Sequence, residues 1–216
     1  MKKENIKYLR ISVCMICAFV LWTVLIRFAD VQPVGPQNSS VGLASVNVWI
    51  HNMTGVHMWL YTVTDWLGLV PVCFIFGFGI LGLCQWIKRK SIRNVDHDIL
   101  ILGGFYIIVT AAFLFFESFV INYRPVLIDG ALEASYPSST TLLVMCVMPT
   151  AAMQIGKRIK NRILGRCAVY TIIAFIAFMV AGRSFSGVHW FSDIIGGLLL
   201  SGGLVMMYKY TCVALK

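Results

Sequence analysis

The chain has 216 residues, of which 59% are hydrophobic and only 12% charged, and its formal net charge is +9. Water-soluble domains carry about twice that share of charge, so the composition argues against a soluble globular domain. It points to an all-α integral membrane bundle, built as a single domain over residues 1–216.

Lys2, Lys3, Lys7 and Arg10 precede an uncharged stretch over 11–26. This start resembles a signal peptide, but no small-residue cleavage site follows, so it reads as a retained anchor. Five further stretches lack charge: 66–87, 99–116, 134–156, 167–182 and 194–208. A spanning helix needs about 20 mostly apolar residues, so the shorter runs borrow flanking ones, and six transmembrane helices are expected. Between the first two spans, residues 37–58 read as an interfacial helix. Val46, Val48, Trp49 and Ile50 would lie in the headgroup boundary, with His51 and Asn52 left in water.

With that span order, 15 of the 18 Lys and Arg residues fall on one side, together with both termini. The positive-inside rule makes that side cytoplasmic, in a plasma membrane. The net charge is thus a topology signal, with membrane lipid headgroups as the contact. The basic loops are short and lack interleaved aromatics, which argues against nucleic acid. The opposite, extracytoplasmic face receives Asp30, Asp65, Glu117, Asp129, Glu133, Asp193, His51, His57 and His189. These acids are scattered, so no metal and no cofactor are expected. The seven cysteines lie in or beside apolar stretches and read as small buried hydrophobes rather than disulfide partners.

Three motifs fall on that extracytoplasmic face. Asn122, Tyr123, Arg124 and Pro125 present a guanidinium, which matches phosphate in bidentate fashion. Tyr136 and Pro137 lead into Ser138, Ser139, Thr140 and Thr141, whose free N–H groups at a helix start suit an anion. Arg183, His189 and Asp193 form the third motif. Charge at membrane depth is costly and marks a functional candidate. If the stretch is helical, His189 and Asp193 meet at i and i+4, and the carboxylate fixes the imidazole for attack on phosphorus.

Together these motifs resemble the type 2 phosphatidic acid phosphatase superfamily of integral membrane phosphatases, whose pattern is Lys-x6-Arg-Pro, then Pro-Ser-Gly-His, then Ser-Arg-x5-His-x3-Asp. The resemblance covers the chain from about the second span to the sixth, and it implies six helices around an active site at the outer face. It implies His189 as nucleophile through a phosphohistidine intermediate and Asp193 as its partner. By the resemblance Arg124, Ser138 and Arg183 would hold substrate phosphate, and the free N–H groups at the helix start add Ser139 and Thr140 to that set. The chain departs from the pattern where the lysine falls on Glu117, the glycine on Ser139, the histidine on Thr140, and the serine before the last arginine on Gly182. The missing histidine is the family's general acid.

That loss bears on substrate. An alkoxide must be protonated as it leaves, whereas a phosphate monoester, with a second pKa of about 6, leaves as an anion. The sequence therefore favours a polyprenyl diphosphate, such as an undecaprenyl carrier, over a phosphatidate or phosphatidylglycerol-phosphate monoester. Glu117 is a possible substitute acid. A lipid-phosphate binder without turnover, a phosphatidate- or phosphatidylglycerol-phosphate-type phosphatase and a phosphotransferase are the competing readings. Gly196, Gly197, Ser201, Gly202 and Gly203 offer close helix packing, either to neighbouring helices or in a homodimer.

Overall fold

The computed structural model describes residues 2–215. Among the described residues, eight α-helices carry the fold: α1 (Lys2–Phe28), α2 (Ala44–Thr54), α3 (Met58–Leu67), α4 (Leu69–Arg89), α5 (His97–Ser118), α6 (Ser139–Arg158), α7 (Arg162–Phe185) and α8 (Phe191–Ala214). Six helical stretches are long and apolar enough to span a membrane, α3 and α4 together forming the second. The protein is a multi-pass membrane protein. The second span is longer than the uncharged run over 66–87 implied, because α3 extends it upstream as far as Met58. Gly68 joins α3 to α4, its N–H bonded to the carbonyls of Thr64 and Asp65. Asp65 is therefore part of a spanning helix.

The helix ends follow local chemistry. Asn161 caps α7, its Oδ1 accepting the N–H groups of Ile163 at 2.9 Å and Leu164 at 3.2 Å. Within α6, Pro149 cannot donate to the helix ladder. Thr150 turns its hydroxyl back onto the carbonyls of Cys146 and Val147 one turn earlier.

α6 and α8 form the centre, while the other spans present apolar faces outward. Phe76, Ile80, Ile107 and Tyr170 lie on that outer surface, where lipid replaces water as solvent. The small-residue stripe of α8 is used within the chain. Gly202 and Gly203 face Met15 and Ile16 of α1, Gly196 faces the Tyr136 ring, and Gly197 faces Thr141. Ser12 seals the α1–α8 contact by donating to the Gly203 carbonyl at 2.8 Å.

The two ends of the bundle differ. At the basic end, Arg158 of α6 reaches Asp96 and Asp98, both at 3.1 Å, and Arg89 of α4 joins Asp96 at 2.9 Å. Arg89, Gln85 and Arg158 hold the Asp96 carboxyl down to about 2. This network clamps α4, α5 and α6. The other end gathers the three motifs. α2 lies across it, pinned by Asn47, which donates to Ser192 Oγ at 2.9 Å and accepts from the Ser192 N–H at 3.1 Å. Val46, Trp49 and Met53 form its exposed apolar stripe. The expectation for His51 needs correction. It is half-buried rather than in water, its ring 5.5 Å from Trp190, and burial pulls its pKa down.

Candidate active site

The loop between α5 and α6 folds back on itself in a short antiparallel ladder. The Arg124 N–H donates to the Glu133 carbonyl at 3.1 Å, and the Ser135 N–H to the Asn122 carbonyl at 2.9 Å. The Trp190 indole N–H donates to the Tyr123 carbonyl at 2.8 Å, which ties this loop to the start of α8. Between α7 and α8 the chain turns at Gly187, with φ of +71° and a neighbouring carbonyl, that of Gly55, where a Cβ would stand. Only glycine fits such a position. The α2–α3 turn thus presses on the segment that carries His189, and the His57 N–H donates to the Ser186 carbonyl at 2.9 Å.

His189 lies in this turn rather than in a helix, so the direct helical contact with Asp193 is not made. Asp193 is the third residue of α8 and accepts the Trp190 N–H at 3.0 Å, capping the helix. Ser135 stands between the two side chains, its Oγ 2.5 Å from Asp193 Oδ2 and 3.0 Å from His189 Nδ1. A serine hydroxyl has one proton, and a carboxylate can only accept. The Ser135 proton therefore points to Asp193, and Oγ accepts from Nδ1–H. That assignment leaves Nε2 with its lone pair. Nε2 is buried and has no hydrogen-bond partner among the described residues. Burial, and after it the Arg124 and Arg183 charges, hold the imidazole well below its ordinary pKa, so it is neutral at physiological pH.

The two guanidinium groups that act on His189 come from distant parts of the chain. Arg183, near the end of α7, is 1% exposed; Arg124 is 7% exposed. The Tyr61 ring of α3 lies against both, 5.0 Å from the Arg183 Cζ and 5.7 Å from that of Arg124. Arg183 Nη2 donates to Asp65 Oδ1 at 3.0 Å and to the Thr140 hydroxyl. Arg124 Nε faces Glu133 at 3.2 Å. Arg183 Nε and Nη1 and Arg124 Nη1 are buried with no partner among the described residues. Buried charged donors left unpaired cost several kcal/mol, and polar groups so placed call for a ligand or water. Three guanidinium nitrogens and an imidazole lone pair in one cluster suit a tetrahedral oxyanion.

The residues of the second motif fall differently from the sequence expectation. The Ser138 N–H is occupied by the Asp193 carbonyl at 3.1 Å, and its hydroxyl accepts from Thr141 at 3.0 Å. Ser138 therefore joins α6 to α8 and does not point a free N–H at an anion. Thr140 spends its hydroxyl on Arg183. Ser139 lines a small cleft with Ser135, Tyr136 and Glu117. Glu117 makes no ion pair among the described residues; Glu133 takes Arg124 in its place. Sequence reasoning passed over Ser135, Tyr61 and the partnership of Asp65. For Asp65 a signal was present: a carboxylate four residues after Tyr61, next to an uncharged run. Ser135 carried none, since its role depends on the loop ladder.

The model of the PAP2 superfamily matches residues 106–214. Among solved structures, the chain is similar to a transmembrane PAP2-type phosphatidylglycerolphosphate phosphatase from Bacillus subtilis. The TM-score is 0.65 at 16% identity, over 95% of this chain and 97% of that one. No curated protein gives a significant match.

Proposed function

The chain belongs to the PAP2 superfamily, and from that premise we propose that it is a membrane phosphatase that hydrolyses a polyprenyl diphosphate through a phosphohistidine at His189. The observation that carries this reading is the clustering of an unpartnered, neutral Nε2 with unpartnered nitrogens of Arg124 and Arg183. In the first step Nε2 attacks the terminal phosphorus and the bridging P–O bond breaks. Arg124 and Arg183 neutralise the non-bridging oxygens. The cation that forms on the imidazole is stabilised through Nδ1–H, Ser135 and Asp193.

Thr140 carries no acid–base function, since a neutral hydroxyl bound to Arg183 is a poor proton donor. A leaving polyprenyl monophosphate needs no proton, because its second pKa is about 6. An alkoxide does. The site therefore suits a diphosphate better than a phosphatidate. An apolar groove of about 660 Å³ between α4 and α5, lined by Phe78, Gly79, Trp86, Gly103 and Ile107, adds room for a long tail. The excess of basic residues on the side of both termini supports cytoplasmic termini and an extracytoplasmic site, in our reading at a plasma membrane. There it meets spent carrier lipid.

The test is turnover by purified protein on both substrate types, with Thr140→His beside it. Diphosphate should be cleaved faster than phosphatidate. Restoring a histidine should raise phosphatidate cleavage more, by up to about 10²–10⁴-fold. Faster release from phosphatidate by the natural protein would overturn the substrate assignment.

A further inference from the structure

We propose that Asp65 is the catalytic base of the second half-reaction, the hydrolysis of phosphohistidine; this rests on the reading given under Proposed function. A water oxygen attacks phosphorus and the O–P bond forms as the Nε2–P bond breaks. The electron pair returns to Nε2, one water proton passes to the Asp65 carboxylate, and inorganic phosphate leaves. No further reactant is needed.

Four observations converge on Asp65. First, its Oδ1 lies 3.0 Å from Arg183 Nη2, a nitrogen that also donates to Thr140. It stands on a guanidinium that grips the phosphoryl group. Second, helices rather than loops set its position. The neighbouring Thr64 is buried against α7 beside Arg183, where a Cβ on Gly182 would come within 2.6 Å of the Thr64 methyl. That close contact of α3 and α7 fixes the register of Asp65 to Arg183. Third, the Asp65 side chain is 56% exposed while that of Arg183 is 1% exposed, so this ion pair leads from the protein surface, near the outer end of its span, to the sealed interior. The attacking water must cross that boundary, because His189 is itself 4% exposed. Fourth, Asp65 Oδ2 accepts no hydrogen bond among the described residues. It is free to take a proton, which is the only direction open to a carboxylate.

Glu133 is the natural comparison. It also pairs with a site arginine and is half-exposed. It belongs to the loop ladder, however, and engages Nε of Arg124 rather than the nitrogen shared with Thr140.

The experiment is rapid-quench kinetics on the full-length membrane protein with terminally labelled polyprenyl diphosphate, comparing wild type, Asp65→Asn, Asp65→Glu and Glu133→Gln. Asparagine preserves the size and the acceptor for Arg183, and thermal midpoints check folding. Asp65→Asn should give a stoichiometric burst of polyprenyl monophosphate at the wild-type rate. Label should then accumulate on His189, and steady-state turnover should fall by about 10²–10⁴-fold. Asp65→Glu should recover part of the second step, and Glu133→Gln should accumulate no label. An Asp65→Asn variant that loses burst and steady-state rates together, or changes only KM, would show that Asp65 merely holds Arg183, and the proposal falls. Turnover by wild type and His189→Ala alike with no label on the protein would instead overturn the phosphohistidine reading itself, and this role with it.

Discussion

Replacing Ser135 by alanine removes the only atom that connects His189 Nδ1 to Asp193 among the described residues. Oγ lies 3.0 Å from Nδ1 and 2.5 Å from Oδ2. The Asp193 carboxylate keeps the Trp190 N–H at 3.0 Å and the Ser192 hydroxyl at 3.3 Å, so the α8 cap survives. The loss falls on the imidazole, which gives up the acceptor that fixes its proton on Nδ1. A hydrogen bond to a charged group contributes about 1.5–3 kcal/mol, which is about 10- to 150-fold in rate. Loss of tautomer control altogether would set an upper bound of about 10⁴-fold. The assay is kcat on polyprenyl diphosphate for Ser135→Ala and Ser135→Thr, with thermal midpoints alongside. For alanine kcat should fall within that range with little change in KM, and threonine should restore a large part of the rate. Wild-type kcat in a folded Ser135→Ala variant would refute the relay, and Asp193 would then be a helix cap alone.

Other outcomes follow from the same geometry. Arg183→Lys should lower kcat/KM by about 10- to 150-fold, because a single ammonium cannot replace a planar donor set shared among Asp65, Thr140 and substrate. The pH profile should reflect the depressed His189 pKa. Protonation of Nε2 abolishes attack, so the acid limb of kcat/KM should lie below the ordinary imidazole value of about 6.5; a limb at or above it contradicts the assignment. The same sign holds for stability. A histidine buried neutral adds no pH dependence above about 6.5 and destabilises the fold as pH falls below it. Gly103→Leu should raise KM for a long-tailed diphosphate and leave a short-chain soluble diphosphate unaffected. A Cβ at Gly103 meets nothing within 4 Å, so the leucine fills the α4–α5 groove rather than the core; equal effects on both substrates would remove the groove from the account.

Much of the architecture was legible because a membrane simplifies the code. Uncharged runs between basic loops mark spans, and all six appear as helices. Arg183 and Arg124 were legible for the same reason, since charge near membrane depth needs an explanation. What escaped the sequence depends on pairing across distance. Ser135 meets His189 only because a loop ladder sets it opposite Asn122. Ser138 resembles an anion-binding helix start, yet its N–H is taken by the Asp193 carbonyl, from a helix 55 positions later in the chain. Tyr61 and Asp65 belong to α3, where the sequence suggested only an approach to the second span. The glycines of α8 were readable as a close-packing stripe, but not its occupant; α1 and Tyr136 fill it.

The account turns on whether the His189 nitrogen bonds to phosphorus. Purified protein turning over polyprenyl diphosphate should be stopped in alkali, which preserves phosphoramidate, digested, and analysed by mass spectrometry. A phosphate on the peptide containing His189, absent after His189→Ala together with turnover, is the predicted result. Undiminished turnover in His189→Ala, or phosphate on a different residue, would contradict it.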